Sequence, residues 1–422
     1  MSDEIRISDL ASPQLTASQQ DAMAYVDTLK VELNSHSILQ DAQQLTGLED
    51  FGPTDFLQRL DLLCDEWGSD DGLTNLGRLS LRNKLLQHAS SRLLIHDVLS
   101  RHPEIHDIQI KAPIIVAGLP RSGTTHLLNL MAADSRLRAL PLWESYEPVP
   151  RPGEQLTADG VDPRYQRCAD QWQMMQSLTP LLAAMHPMNP DHIHEELELM
   201  GPDFASYNYE WLSVSPRWRD NYYATDQTPH YEYMKTVLKI LTWQDGDRTG
   251  SKTRWVLKCP QHLEQLAVLH RVFPDATVAV THRDPVSVIQ SAITMLGYGQ
   301  RINRRRVDLT GLVTYWSDRV LHLLQVCVDD RAVWPAGQST DVLFHEFMAD
   351  DLATVEQIYA IANLEMTASA RSELQQFIDE HPRGKDGRVV YNLREDFGVD
   401  AAQLRARFSF YFDRFPVKVE VE

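Results

Sequence analysis

The chain has 422 residues, of which 43% are hydrophobic and 23% are charged, and its formal net charge is −19 at pH 7. This length suffices for one large domain with an appendage or for two domains, and the acidic excess disfavours DNA, RNA and anionic membranes as partners.

The longest apolar runs are strand-sized, so no membrane span is expected. The acidic N-terminus lacks a signal-peptide pattern, which predicts a cytoplasmic protein. The four cysteines form no CxxC pair, so we expect free thiols rather than disulfides or a zinc site.

The first part of the chain has helical periodicity. Apolar residues recur at helical spacing in DFLQRLDLLCDEW and again in LTNLGRLSLRNKLLQHASSRLLIHDVLSRH. We therefore assign residues 1–110 to a helical N-terminal region. It contains no catalytic motif, and it is a candidate surface for homo-oligomerisation.

From Pro113 onward, strand-like runs alternate with helical ones. The predicted strands are residues 113–118, 137–143, 254–259, 276–282 and 341–347. Such alternation is typical of parallel βαβ units. We therefore predict an α/β domain over residues 111–422, built on a five-stranded parallel sheet flanked by helices.

Residues 148–234 interrupt this alternation and are rich in soft and aromatic side chains. The residues concerned are Met174, Met175, Met185, Met188, Met200, Tyr207, Tyr209, Trp211, Trp218, Tyr222, Tyr223, Tyr231 and Tyr233. Such side chains suit an adaptable apolar pocket, so we interpret the segment as an insertion that caps the site and binds the acceptor. Simple packing of the same residues onto the core is the alternative that the sequence leaves open.

The stretch GLPRSGTT, residues 118–125, lies between a predicted strand and a predicted helix. Backbone N–H groups in such a turn converge on an anion, which indicates phosphate binding by the loop residues Ser122, Gly123, Thr124 and Thr125. The glycine spacing is that of a Walker A loop, but Thr124 stands where the lysine belongs, and Arg121 is the loop's cation. This difference argues against a phosphotransferase that uses ATP and Mg²⁺.

The loop resembles the 5′-phosphosulfate loop of sulfotransferases that use 3′-phosphoadenosine 5′-phosphosulfate (PAPS). In VAVTHRDPVSVIQSAI, Arg283 and Ser291 match the Arg and Ser that these enzymes direct at the 3′-phosphate. The stretch HPRGKDGRVVYNL resembles their C-terminal nucleotide-closing loop, with Arg383, Gly384 and Lys385 reaching the same phosphate. The three motifs occur in the family's order.

Residues 111–422 therefore resemble the bacterial branch of the sulfotransferase superfamily. The resemblance implies a P-loop-kinase-like fold and transfer of a sulfuryl group from PAPS, without a metal, to a hydroxyl of a small-molecule acceptor. The methionine and aromatic content of the insertion favours a phenol, a sterol or a lipid alcohol as that acceptor. Two alternatives remain, an ATP–Mg²⁺ phosphotransferase and a non-catalytic nucleotide-binding scaffold.

The catalytic candidates are cations that stabilise charge and a base that accepts the acceptor's proton. Arg121 and Lys258 are the cations. Glu144 follows the second predicted strand, where several sulfotransferase branches place a catalytic glutamate, and Glu147 is a neighbouring alternative. His262 is the rival base, although its spacing from Lys258 in KCPQH departs from the KxH spacing of the family's cytosolic branch.

The stretch DHIHEELELM, residues 191–200, offers His192, His194 and Glu195 as metal ligands. An HxH pair beside a glutamate, without a second ligand cluster, is more typical of an acidic amphipathic helix, so no metal site is predicted. The resemblance implies acidic residues near the acceptor in this region, which makes Glu195 or Glu196 a substrate contact.

Overall fold

The computed structural model describes residues 4–246, 254–382 and 387–422. It confirms the five-stranded parallel sheet, whose strand order is β3-β4-β2-β5-β6, and adds a two-stranded parallel sheet of β1 and β7. The strands are β1 Glu4–Arg6, β2 Ile114–Gly118, β3 Leu137–Arg138, β4 Arg254–Cys259, β5 Thr277–His282, β6 Ser339–Leu343 and β7 Arg388–Val390.

Helices surround the sheet and form most of the N-terminal region. They are α1 Ala17–Asp27, α2 Ser35–Thr46, α3 Phe56–Gly68, α4 Asn75–Arg101, α5 Thr124–Ala132, α6 Leu142–Tyr146, α7 Pro163–Leu178, α8 Leu182–Met185, α9 Asn208–Leu212, α10 Pro216–Ala224, α11 Thr228–Asp245, α12 Leu266–Val272, α13 Pro285–Asn303, α14 Leu309–Asp330, α15 Phe344–Phe347, α16 Asp351–Ile361, α17 Ala368–Glu380, α18 Leu393–Phe397, α19 Ala401–Ala406 and α20 Ser409–Arg414. None of these described helices is long and apolar enough to cross a membrane.

The central strands are apolar on both faces because helices cover both sides of the sheet. Side chains alternate between faces along a strand, so Ile115 and Ala117 of β2 join one hydrophobic core while Ile114 and Val116 join the other. The first core lies against α11, α13 and α14, and the second lies against α5 and α16. The carboxyl ends of β2, β4 and β5 therefore meet at one edge of the sheet, where open α/β sheets bind ligands.

The second predicted strand is shorter than the sequence indicated. β3 covers Leu137–Arg138, and the chain then turns into α6, with Pro141 as the helix N-cap. Pro141 has no N–H group to offer a neighbouring strand. The Leu142 N–H instead bonds to the His192 carbonyl over 2.9 Å, which fastens this turn to the insertion.

The N-terminal helices share their core with the insertion. Buried residues of α3 and α4, such as Phe56 and Leu85, pack with Phe204, Tyr209 and Trp218. These insertion aromatics therefore stabilise the helical region and do not face a ligand pocket. The N-terminal region also contacts the C-terminal part of the α/β domain, because β1 pairs with β7.

Candidate active site

The loop after β2 forms a tight turn from strand to helix. Gly123 is the N-cap of α5 with a φ of 84°, and Arg121 also has a left-handed backbone, with a φ of 66°. A Cβ atom on Gly118 would lie 1.9 Å from Thr281 Oγ1, so the close approach of β2 and β5 requires glycine there. The first N–H groups of α5 have no partner within the helix and mark its positive end, which suits an anion.

Arg121 connects this loop to the second predicted motif. Its Nε donates to Ser291 Oγ over 2.9 Å, and its guanidinium also donates to the Met185 carbonyl of the insertion. Arg283, just after β5, donates to the Arg121 carbonyl over 2.5 Å. The structure therefore brings Arg121, Arg283 and Ser291 into direct contact, although they are distant in sequence.

Lys258 lies near the end of β4 and is 1% exposed. Its Nζ donates to Thr125 Oγ1 over 3.3 Å and contacts the Glu195 carboxylate, while its backbone N–H donates to Glu196 Oε2 over 2.8 Å. The buried ammonium is thus balanced by Glu195 and placed at the N-terminus of α5. This is a position from which it can stabilise negative charge on a group held by the loop.

The loop hydroxyls have different surroundings. Thr124 and Thr125 line the cavity described below, whereas Ser122 is not among the described lining residues. Ser122 Oγ donates to the Leu119 carbonyl over 2.6 Å and lies 2.8 Å from Thr281 Oγ1. The Ser122 hydroxyl therefore holds the turn in shape.

The third predicted motif is only partly described. Arg383, Gly384 and Lys385 lie outside the described residues. The chain that follows them is fixed to the site, because Ser291 Oγ donates to the Tyr391 hydroxyl over 3.0 Å just beyond β7. β7 in turn pairs with β1 in the N-terminal region.

The C-terminal tail covers Arg283. The Glu420 carboxylate accepts from Arg283 Nε over 2.9 Å and from its terminal nitrogen over 2.7 Å, and it lies 3.4 Å from Ser287 Oγ. The Glu420 N–H donates to Asp284 Oδ2 over 2.8 Å, which holds this part of the tail in place. The Glu420 carboxylate is therefore paired with Arg283, the arginine that the sequence analysis assigns to the 3′-phosphate.

One continuous cavity of about 1220 Å³ connects the loop to the N-terminal helices. Its polar wall carries Arg121, Thr124, Thr125, Lys258 and Arg283. Its apolar walls come from α1, α4, α7, α9, α13 and α14, and they include Val26, Leu76, Leu79, Met174, Met175, Leu178, Trp211, Met295, Leu296 and Trp316. The glycine turn at the N-terminus of α5 therefore opens into an extended apolar space.

The two glutamates predicted as bases lie in ion pairs that are not part of this cavity wall. Glu144 is in α6, not at a strand end, and accepts from Arg138 over 2.7 Å. Burial raises the pKa of Glu144, although Arg138 opposes the shift. Glu147 accepts a forked pair of hydrogen bonds from Arg167. Neither carboxylate is among the described residues that line the cavity with Lys258.

His262 is fully buried beneath the site. Its Nε2 lies 2.6 Å from Glu196 Oε1 and its Nδ1 lies 2.9 Å from the Tyr231 hydroxyl, so both ring nitrogens have partners. Because Glu196 also accepts from the Lys258 N–H, this network holds the end of β4 in position. His262 is not among the described lining residues, and its geometry supports a structural role.

Three histidines of the insertion cluster near the polar wall. The ring centroids of His186, His192 and His194 are 5.7 to 6.4 Å apart. Burial lowers the pKa of His192 to about 4 and that of His194 to about 3. Among the described residues, no group of three or more His, Cys, Asp or Glu side chains is arranged to hold a metal ion.

Sequence reasoning missed three parts of this site. The stretch 191–200 was singled out, but no local pattern showed that Glu195 contacts Lys258, because the two meet only through the sheet. Residues of α1 and α4 line the cavity although that region carries no motif, and Glu420 carries no sequence signal at all.

The site combines a glycine turn at a helix N-terminus with three nearby cations and an attached apolar cavity. This combination is typical of an enzyme that transfers a group from a phosphorylated donor. The sequence pattern of the sulfotransferase family matches residues 113–368, so the chain belongs to the sulfotransferase family and is a PAPS-dependent sulfotransferase. This membership confirms the predicted enzyme class over the phosphotransferase and scaffold alternatives.

Solved structures agree with this assignment. The chain is 28% identical to sulfotransferase STF1 from Mycobacterium tuberculosis H37Rv, covering 90% of this chain and 100% of that one with a TM-score of 0.77. It is 23% identical to sulfotransferase STF9 from Mycobacterium avium, covering 93% and 100% with a TM-score of 0.81, which shows the shared P-loop-kinase-like fold. No curated protein sequence matches the chain.

Proposed function

We propose that this protein transfers a sulfuryl group from PAPS to a hydroxyl group of an apolar acceptor. The observation that carries the proposal is the single cavity, which has Arg121, Lys258 and Arg283 at one end and apolar helices along the rest. The sulfotransferase family implies the PAPS donor and a small-molecule acceptor. The apolar nature of that acceptor is our inference from the walls.

The residues of the polar wall fit the donor. When bound, PAPS supplies a sulfuryl group attached to a phosphate that serves as its leaving group. The N–H groups at Gly123 and the hydroxyls of Thr124 and Thr125 hold the 5′-phosphosulfate, with Arg121 as its cation. Lys258 lies beside Thr125 and neutralises charge that develops on the leaving oxygen.

The 3′-phosphate is the part of PAPS that distinguishes it from ATP. We assign it to Arg283 and Ser291, together with Arg383, Gly384 and Lys385 from the nucleotide-closing loop. The contact of Arg121 with Ser291 supports this assignment, because the side chains that we propose for the two phosphate groups are neighbours. We propose that the transfer proceeds without a metal ion, as the family resemblance implies.

The acceptor assignment rests on the size and character of the cavity. A volume of about 1220 Å³ exceeds the range of roughly 300–1,000 Å³ that is usual for small-molecule sites. Met174, Met175, Met188 and Trp211 of the insertion line it, and α4 closes it from the other side. A phenol, sterol or lipid alcohol with a long apolar body would fill this space, so we interpret the 148–234 insertion and the N-terminal helices as one acceptor-binding cap.

A thermal-shift comparison tests the donor assignment. We expect 3′,5′-ADP to raise the melting temperature in the presence of EDTA, and ADP to raise it much less, because only 3′,5′-ADP reaches Arg283 and Ser291. Equal shifts for the two nucleotides, or a shift that requires Mg²⁺, would contradict the assignment.

Gly299 of α13 offers a sharp test of the acceptor assignment. It lines the cavity, and a Cβ atom there would meet no atom within 4 Å. Gly299→Leu should narrow the cavity and lower kcat/KM for 4-octylphenol by about tenfold, which corresponds to about 1.4 kcal/mol of lost acceptor binding, while phenol is affected little. Gly299→Ala is the matched control and should leave both rates unchanged. Sulfation of glucose in preference to either phenol would overturn the apolar acceptor.

Two further expectations remain predictions. The composition of the N-terminus predicts a cytoplasmic location, which fractionation of the native host would test. The N-terminal helices are a candidate homo-oligomer interface, and sedimentation of the full chain over a range of concentrations would reveal a dimer or higher oligomer.

A further inference from the structure

The acceptor hydroxyl must lose a proton as it attacks sulfur, and the described cavity wall offers three carboxylates for that purpose. They are Glu195, Glu198 and Glu210. Glu210 is fully buried and accepts from Arg319 and from the Tyr315 hydroxyl. These partners engage both of its oxygens and hold the carboxylate in a structural ion pair.

Glu198 is also committed to neighbours. It accepts from Asn208 over 2.7 Å, and its other oxygen lies 3.4 Å from both Lys84 and His88. Burial alone would raise the pKa of Glu198, but Lys84, His88 and His194 together outweigh burial and lower the pKa to about 2. A carboxylate stabilised so strongly in its ionised form is a poor proton acceptor at neutral pH.

Glu195 differs from both. It is the one of the three that contacts Lys258, whose Nζ also reaches Thr125 at the N-terminus of α5. Resting on the proposed function, we propose that Glu195 is the general base that takes the proton from the acceptor hydroxyl. The residue then lies where the anion-binding turn opens into the apolar cavity, beside the position from which the sulfuryl group departs.

The backbone around Glu195 is fixed to the donor-binding elements. The His194 N–H donates to the Leu140 carbonyl over 2.7 Å. Asn129, on the same helix as Thr125, donates from its side chain to the Ile193 carbonyl over 3.2 Å and accepts from the Ile193 N–H over 3.3 Å. The segment that carries the base is therefore attached to the helix whose N-terminus holds the donor, which restricts the distance between the two.

The acceptor oxygen forms a bond to sulfur while the bond from sulfur to the 5′-phosphate oxygen breaks, and the electron pair of that bond stays on the phosphate. The proton of the acceptor passes to the Glu195 carboxylate and later to water. Lys258, released from its ion pair as Glu195 becomes neutral, is then free to neutralise the departing phosphate.

The neighbouring histidines are weaker candidates for this role. Burial, together with His194, His192 and Lys258, holds the pKa of His186 well below its usual value, and His194 is held at about 3. Burial shifts Glu195 in the opposite direction and raises its pKa, although Lys258 opposes the shift. A carboxylate that titrates closer to neutrality is the better base at physiological pH.

The test compares Glu195→Gln with the wild type on two phenols at saturating PAPS. With 4-octylphenol, which carries its proton, we expect kcat to fall by about 10²–10⁴-fold. With 4-nitrophenol at alkaline pH, where it is already ionised, the loss should be less than about tenfold, because no proton remains to be removed. Affinity for 3′,5′-ADP should be retained, and the acid limb of the wild-type pH–rate profile should disappear in the variant.

Two other variants complete the design. Glu154→Gln is the control and should act as wild type. Glu154 is an ion-paired glutamate of the insertion that is not among the described lining residues. Glu144→Gln tests the base predicted from the sequence. A large loss confined to Glu144→Gln, or equal losses of Glu195→Gln on both phenols, would overturn the inference. A wild type that sulfates neither phenol would instead contradict the proposed apolar acceptor and this inference with it.

Discussion

The contact between Arg283 and Glu420 predicts competition between the C-terminal tail and the nucleotide. Arg283 donates two hydrogen bonds to the Glu420 carboxylate, and the two side chains are 20% and 29% exposed. A 3′-phosphate bound by Arg283 must share or displace this carboxylate. The affinity for 3′,5′-ADP therefore reflects the new contact minus the ion pair that it replaces.

The size of the effect of Arg283→Ala follows from these two contributions. A hydrogen bond between charged partners contributes about 1.5–3 kcal/mol. An ion pair at this degree of exposure contributes about 0.2–1 kcal/mol, and binding must sacrifice it. The net loss for Arg283→Ala should thus be about 0.5–2.8 kcal/mol, which is about a 2- to 100-fold weaker Kd for 3′,5′-ADP. ADP has no 3′-phosphate, so its Kd should not change.

Glu420→Gln should act in the opposite direction. Removal of the competing charge should tighten 3′,5′-ADP binding by up to about fivefold, the full value of an exposed pair. Glu422→Gln removes the same charge two residues further along the exposed tail and should have no such effect. In the double variant with Arg283→Ala, Glu420→Gln should add nothing, because both act through one contact.

Isothermal titration calorimetry without Mg²⁺, at one low ionic strength, measures all of these affinities. The reasoning is refuted if Arg283→Ala weakens ADP and 3′,5′-ADP equally, since the arginine would then not recognise the 3′-phosphate. Weaker 3′,5′-ADP binding by Glu420→Gln would show that the tail supports the site and does not compete for it.

Three further predictions concern stability, each measured by urea unfolding. Gly118→Ala should destabilise the fold by about 1–3 kcal/mol, because its Cβ would collide with Thr281 Oγ1. Gly337→Ala is the control and should be neutral, because a Cβ there meets open space. Equal effects of the two substitutions would contradict the packing argument. Arg319→Met should cost about 3–5 kcal/mol, since it removes the arginine that pairs with the buried Glu210 and Glu264 carboxylates, and a loss below about 1 kcal/mol would refute this. His194 stays neutral when folded but takes up a proton when unfolded below about pH 6.5. It should therefore reduce stability by up to about 1.4 kcal/mol per pH unit as the pH falls from 6.5 towards 3, and His194→Gln should flatten that slope.

The sequence by itself determined the sheet and the donor loop. Strands such as β2 and β5 are short runs built around apolar residues, and the glycines of GLPRSGTT mark a tight turn. These are local properties, because backbone conformation and hydrophobic periodicity are fixed by residues close together along the chain. The family resemblance rested on the same local motifs.

Local reasoning was less reliable where a neighbour from elsewhere in the chain decided the outcome. The second predicted strand ends early because the turn at Pro141 bonds to the insertion, and Glu144 follows that turn into a helix where Arg138 pairs with it. The position of a carboxylate near a strand end does not reveal whether that carboxylate forms an ion pair with an arginine elsewhere in the fold.

Only the tertiary structure decided which side chains share the cavity. Glu195 meets Lys258 across the carboxyl edge of the sheet, and Glu420 reaches Arg283 from the far end of the chain. The aromatic residues of the insertion were divided in the same way, with Trp218 packed into the helical core and Trp211 placed on the cavity wall. Burial, ion pairing and access to a cavity depend on contacts between residues far apart in sequence, and no local pattern encodes them.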